Sequence, residues 1–474
     1  MKIDLLINGQ RCASASGQYD CLTGPASPDE LAQVASATPE DVARAATAAV
    51  KALASKRITA KDRASILARA SKLLLQHEDE LAELIVLEVG KTIREAKGEV
   101  KTASDACSTF AAEALRLRGF TMDGDATGPT KDFDIAVLRE PAGPVCALTA
   151  FNAPLNQVCY KVGMAFAAGC PVVLKPSPFT PMVSSRAIDL LVAAGMPKGW
   201  INFVTGGAEV GQALFENSDF ARYAFTGSRA VGDILVRSVG LRRSLLELGS
   251  NAPNIVHHDA DLALAARSIT SSGFAIAGQV CMRPQRILVH EDVEEAFSAH
   301  LLEHVKAVRV GDPMDPETDM GPVRTVESAA RIVGWVKRAE EGGAKVLTGA
   351  THDGCFVAPT VVANVKSDDL VACEEIFGPV LVLQTYGALE EALDEANASK
   401  YGLQSAIFTS NLKTARTAVR ALKSGGVVVN NASRMRTALV PFGGAKASGL
   451  GREGGPWGVE EFTEVKVVYE YFGD

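Results

Sequence analysis

Between residues 144 and 217 three short apolar runs alternate with three helix-like segments, and this alternation constrains the fold more than any other feature. The runs at 144–150, 171–175 and 200–205 are nearly continuous in apolar residues. A strand with one wet face would alternate apolar with polar residues. Continuous runs predict strands buried on both faces, as in a parallel sheet covered by helices. The segments at 156–168, 184–194 and 208–217 supply the helices. Ligands of such sheets bind beyond the carboxyl ends of the strands. A second α/β series follows, with strands at 254–257, 285–290, 379–385, 405–409 and 426–430 and helices at 260–277 and 291–307.

The flanking segments read differently. Residues 4–9 are a strand closing on an Asn-Gly turn. Residues 38–56 form a helix, with Thr38 as N-cap, Pro39 in the first turn and Asp41 at the capping-box position. Two further helices are predicted in 61–89 and 92–116, then a polar, Gly-containing break at 119–131. The strand at 134–140 has the look of an arm. The tail at 464–472 alternates as a strand, and its aromatics need a partner edge, such as another subunit.

The chain has 474 residues, so two or three domains are expected. Its 47% hydrophobic and 22% charged residues match a soluble globular protein. A net charge of −8 argues against nucleic acid or an anionic membrane as partner. Nine cysteines, an odd number with no C-x-x-C pair, argue against a disulfide framework and for a reducing cytoplasm. The opening MKIDLLINGQRC lacks a signal peptide's apolar run, and no stretch reaches the ~18–20 apolar residues of a membrane span.

Two groups carry chemistry. Cys281 stands in Gly278-Gln279-Val280-Cys281. A thiolate is the strongest ordinary nucleophile near neutral pH, and a partly positive site would lower its pKa. An unpaired cysteine is more often a small buried hydrophobe. Glu247 lies in an apolar stretch entering a Gly-containing turn, Leu246-Glu247-Leu248-Gly249. Burial raises a carboxyl's pKa and suits it to act as a base, although a paired strand-edge Glu is equally compatible. The turn Phe225-Thr226-Gly227-Ser228 opens a helix and suits a pyrophosphate, but it is not G-x-G-x-x-G. Lys175-Pro176-Ser177 follows a buried strand, where a lysine reaches a ribose or phosphate, or simply water. His300-Leu301-Leu302-Glu303-His304 matches an inverted zinc-protease pattern. Phe297, Leu301, Val305 and Val308 form a core stripe on that helix, so the histidines read as surface residues and no metal site is expected.

Taken in order, these motifs resemble the NAD(P)-dependent aldehyde dehydrogenase superfamily over essentially the whole chain. Phe151-Asn152, Glu374-Glu375-Ile376-Phe377-Gly378-Pro379, Pro441-Phe442-Gly443-Gly444 and Gly451-Arg452-Glu453 complete the set. The resemblance implies that Cys281 forms a thiohemiacetal with the aldehyde. The Asn152 amide and the Cys281 backbone N–H would form the oxyanion hole, with Lys161 supporting this network. After hydride transfer, Glu247 would activate water to hydrolyse the thioester. Lys175, with Ser177 beside it, and Glu375 would hold the cofactor riboses. Phe377 would pack near the nicotinamide, and Thr226, Gly227 and Ser228 near the pyrophosphate. Coenzyme-A-acylating relatives generally lack a carboxylate at the place of Glu247, so a free acid is the expected product.

Two departures stand out. Many NAD-preferring members have Glu where this chain has Pro178, so NADP is expected to be accepted, with NAD as the alternative. Ser250 replaces the family's usual second Gly. By position the substrate pocket includes Ala153, Gln157, Tyr160, Val280, Met282, Phe442 and the loop 431–440 with Arg434 and Arg436. Two such cations, with Arg283 as a third candidate, would attract an anionic tail, or else make structural salt bridges at a subunit contact. A small polar or anionic aldehyde is the expected substrate, with hydroxylated or aromatic aldehydes as the alternative. A Cys-dependent esterase is the rival class. The implied architecture is an α/β fold of three parts. These are a Rossmann-like cofactor domain (1–120 and 141–248), an α/β catalytic domain (249–448) and a small β oligomerisation arm (121–140 and 455–474), in a homodimer or homotetramer.

Overall fold

The computed structural model describes residues 1–26, 29–55 and 57–473. Two sheets organise them. The first has eight strands. Its five central strands, Arg243–Glu247, Arg222–Thr226, Val145–Leu148, Val172–Lys175 and Ile201–Phe203, are parallel and lie side by side in that order. Strand order reverses between Val145–Leu148 and Arg222–Thr226, so the loops after these two strands diverge and open a crevice. Gly449–Leu450 closes one edge antiparallel. Leu5–Ile7 and Gln10–Cys12 close the other as a hairpin, turning through Asn8 and Gly9 at φ 51° and 76°. Both turn residues are left-handed, as the predicted Asn-Gly turn requires.

The second sheet has seven strands in the order Lys345–Thr348, Thr360–Ala363, Val380–Tyr386, Arg286–His290, Pro253–Val256, Gln404–Phe408 and Gly426–Val429. All pairs but the first are parallel. Each sheet is buried under helices, as the continuous apolar runs demand. A third, three-stranded antiparallel sheet stands apart from these cores. It pairs Phe120–Asp123, Phe133–Pro141 and Thr463–Tyr471, the last two over nine residues.

Most predicted helices appear with small changes of boundary. Pro39–Ser55 starts at a reciprocal cap, with Thr38 N and Asp41 N each bonded to the other's side chain, and Lys56 lies outside the described residues. The single helix read over 61–89 is two, Ala60–Gln76 and Glu78–Val89, broken at His77. Part of the break read at 119–131 is the strand Phe120–Asp123. The helix read over 260–277 stops at Gly273, four residues early. Helices Val326–Glu341, Leu389–Ala398 and Leu412–Ala421 were not anticipated. Gly455–Glu460 is a helix packed on Ile93–Ala114 and Pro154–Ala168, so the third sheet's last strand begins only at Thr463. Asp474 lies outside the described residues. On Glu294–Lys306, Phe297, Leu301 and Val305 face the core while His300 is exposed. No helix among the described residues is long and apolar enough to cross a membrane.

Candidate active site

Cys281 sits just beyond a short helical turn, Ala275–Gly278, in the cleft between the two large sheets. The backbone before it is unusual. Ile276, Ala277 and Gly278 have φ of 53°, 50° and 72°. A Cβ on Gly278 would strike the carbonyl oxygen of Gly378, so only glycine fits there. Left-handed Ile and Ala cost ~1–3 kcal/mol each and need external support. Glu95 supplies some of it, accepting from Ile276 N at 2.8 Å. Gln279, buried, donates to Ile276 O at 3.1 Å and accepts from Arg324 N at 2.9 Å.

The thiol is not the low-pKa nucleophile expected of a positive site. Burial first, then the nearby Glu247 and Glu375 charges, push Cys281 up to about 12, and Arg436 and the Met282 N–H oppose them incompletely. Cys281 therefore rests as a thiol and needs a base to take its proton.

Asn152 follows the strand Val145–Leu148 and begins the crevice. Its Nδ2 donates to Gln279 O at 2.9 Å, tying it to the nucleophile loop. Its Oδ1 accepts from Gln157 Nε2 at 3.0 Å, and Gln157 Oε1 in turn accepts from Ala150 N at 2.6 Å. Ala150 N can only donate, so it sets the Gln157 amide, which sets that of Asn152. Gln157 was expected in the substrate pocket; its amide is occupied in orienting Asn152.

Glu247 ends the strand Arg243–Glu247 and is buried. Burial first, then Glu453, push its pKa up to about 8, against the pull of Arg436, Lys161 and Arg452. Its Oε1 has no protein hydrogen-bond partner. Glu453 was visible only as part of a motif, yet it is the hub of the polar network. Lys161 Nζ donates to its Oε1 at 2.8 Å and Arg436 Nη2 to its Oε2 at 2.7 Å. The Arg436 guanidinium lies over the rings of Tyr160 at 4.1 Å and Phe442 at 4.2 Å. Phe442 and Glu453 exchange backbone hydrogen bonds at 2.8 and 2.7 Å, which fixes the ring and the carboxylate together.

The other pocket candidates separate. Arg283 is buried and turned away, donating to the carbonyls of Pro284 and Val380 at 2.8 Å each. Arg434 is exposed. Met282 packs partly buried against the first core, and its carbonyl accepts from Ser433 at 2.9 Å.

In the same sheet, next to the strand that leads to Asn152, Lys175 ends the strand Val172–Lys175. It is buried, its Nζ donates to Pro176 O at 3.4 Å as its one side-chain hydrogen bond among the described residues, and burial lowers its pKa to about 8. A buried ammonium without a counter-charge suits a polar ligand at that point. Ser177 and Pro178, with Gly206 and Gly207, line a cavity of about 720 Å³. Ser228 caps the helix Arg229–Val239, accepting from Val231 N at 3.4 Å, so the Thr226-Gly227-Ser228 turn opens on a helix N-terminus. Glu375 accepts from Ser250 N at 2.9 Å and presses so closely on Gly249 that a Cβ there would collide with it. Ser250 supplies that contact with its backbone, which explains why a second Gly is dispensable. Burial raises Glu375 to about 7. Phe377 stacks edge-on to Phe151 with centroids 5.8 Å apart.

The pattern described as the aldehyde dehydrogenase family matches residues 13–468. A 3-sulfolactaldehyde dehydrogenase of Priestia aryabhattai is 41% identical over 92% of each chain. Among solved structures, a NAD-dependent aldehyde dehydrogenase of Sinorhizobium meliloti superposes with a TM-score of 0.97 at 35% identity, covering 100% of this chain and 95% of that one. An NADP-dependent enzyme of E. coli gives 0.96 at 34% identity, covering 99% and 98%. With its sheets, crevice and ordered motifs accounted for by one known architecture, the chain belongs to the aldehyde dehydrogenase family.

Proposed function

We propose that this protein oxidises a small polar or anionic aldehyde to its carboxylic acid, using NAD(P)⁺ and water. The observation that carries the reading is the Asn152 to Gln279 bond, which joins an oriented amide donor to the loop of Cys281 at the mouth of the crevice. The Cys281 thiol loses its proton to a base and attacks the aldehyde carbon. The second N–H of Asn152 and the Cys281 backbone N–H receive the developing oxyanion, and one such donor is worth about 2.7–4 kcal/mol. When bound, the nicotinamide supplies the hydride acceptor. Glu247 as carboxylate then takes a proton from water, the hydroxyl adds to the thioester, and Cys281 leaves.

Lys175, Ser177, the turn at Thr226, Gly227 and Ser228, and Glu375 with Phe377 would hold the cofactor, as the buried unpaired ammonium and the adjoining cavity favour. With Pro178 no carboxylate opposes a 2′-phosphate. Comparing kcat/KM for the two cofactors tests this: NADP is expected to be used, and a preference for NAD above roughly a hundredfold, ~2.7 kcal/mol, contradicts it.

A relative named for sulfolactaldehyde and an exposed Arg434 on the pocket loop favour an anionic tail. Arg434→Ala is expected to raise KM for an anionic aldehyde and spare a neutral one. Domain roles follow the family division, with the first sheet holding cofactor, the second bearing Cys281, and the third joining subunits into a homodimer or homotetramer. All nine cysteines are free, which suits a reducing cytoplasm. The decisive assay follows nicotinamide absorbance over an aldehyde panel. Wild type should reduce the cofactor and Cys281→Ala should not; an esterase would hydrolyse esters without any such signal.

A further inference from the structure

Arg436 was a candidate anchor for the substrate, but its surroundings point elsewhere. One Nη2 hydrogen bond of 2.7 Å fixes it to Glu453, and its planar face is held between Tyr160 and Phe442. Such a guanidinium cannot swing toward an incoming ligand without leaving both rings and the carboxylate. We propose that Arg436 is a positioning residue for Glu247: its charge balances the buried cluster so that Glu247 can become a carboxylate during thioester hydrolysis. This rests on the reaction proposed above.

The argument is a charge count. Lys161 and Glu453 are almost wholly buried, with side chains 0% and 3% exposed, and Arg436 keeps 16%. Two cations against one carboxylate leave one positive charge. An ionised Glu247 brings the cluster to zero. Without Arg436 the same ionisation would leave a net negative charge in a dry site, which is strongly disfavoured. The groups whose charges reach Glu247 are Glu453, Arg436, Lys161 and Arg452, with the Cys281 thiol close by. Arg452 lies outside this buried count, because water screens it and its pull on Glu247 is the weakest of the three cations. It is half-buried, and its Nη1 is committed to the carbonyls of Gly444 and Gly451 at 3.0 and 2.7 Å. Lys161 and Arg436 share Glu453, so Lys161 alone could not offset both carboxylates. Burial and Glu453 act on Glu247 in the opposite sense, and Arg436 is the strongest of the three cations that oppose them.

The test compares wild type, Arg436→Lys and Arg436→Gln in the full chain, with propanal as neutral and succinic semialdehyde as anionic substrate. Rapid mixing separates the cofactor-reduction burst from the later steady rate, which reports thioester hydrolysis. Arg436→Gln should keep a burst, while the pH midpoint of hydrolysis moves up by about one unit or more with both substrates. Arg436→Lys should return the midpoint toward wild type. An unmoved midpoint overturns the inference, whether activity falls evenly at all pH or only KM for succinic semialdehyde rises. If wild type itself gives no Cys281-dependent burst, the underlying reaction fails instead.

Discussion

At the residue scale, the proposed reaction turns on the orientation of one amide and the charge of one carboxylate. Asn152→Ala removes an oxyanion donor and should lower kcat by about 10²–10³. Gln157→Leu leaves Asn152 in place but frees its amide to turn, so a smaller loss of kcat with little change in KM is expected. A Gln157→Leu enzyme with wild-type kcat would show that Asn152 needs no such support. Glu247 is a base only when ionised, and burial holds its pKa near 8, so the hydrolytic step should accelerate as pH rises through about 8. A rate flat from pH 6 to 9 when hydrolysis limits turnover would contradict this. Cys281, Glu247 and Asn152 could be singled out in the sequence because each sits in a short motif with a chemical reason for its residue type; their roles remain those proposed above. The role of Gln157 was not, because an amide's direction depends on neighbours. Nor was the partner of Arg436, since Glu453 lies 17 residues after it and 292 residues after Lys161, which it also binds.

At the element scale, long-range bonds decide where helices begin and end. The helix Pro181–Ala193 presents its first free N–H groups to Glu88, which accepts from Met182 at 2.6 Å and Val183 at 2.9 Å. Burial outweighs these bonds and raises Glu88 to about 8. A raised folded pKa gives stability that is complete below the unfolded value, ~4.3, and is lost as pH rises through the folded one. The Tm of wild type minus that of Glu88→Gln should therefore fall between pH 5 and 8. A constant difference would mean that Glu88 does not titrate with folding. Periodicity found most helices, because apolar spacing reports directly on a buried face. It overran at 274–277 because Ile276 and Ala277 suit a helix by type. Their left-handed backbone leads into Gly278, which packs against Gly378, and Glu95 holds Ile276 N. It also passed through His77, where no Gly or Pro marks the break.

At the scale of the whole molecule, apolar strand runs translated into two parallel sheets, and the alternating tail into an antiparallel one. The tail's pairing with 133–141 was open in the sequence, since alternation fixes a face but not a partner. Phe120, Leu138, Val465, Val467, Tyr469 and Tyr471 remain exposed on that third sheet, apolar side chains of the kind found at protein contacts. Val467→Glu with Tyr469→Glu should reduce the mass measured by light scattering; an unchanged assembly would place the subunit contact elsewhere. The proposed catalytic cycle would draw on the first sheet for Asn152 and Glu247, and on the loop leading into the second for Cys281. Its direct test is the cofactor-reduction burst, measured by stopped flow in Glu247→Gln and Cys281→Ala. Glu247→Gln should give a burst matching the number of active sites, then almost stop, while Cys281→Ala gives none. Sustained wild-type turnover in Glu247→Gln, or cofactor reduction without Cys281, would contradict the division of labour between thiol and carboxylate.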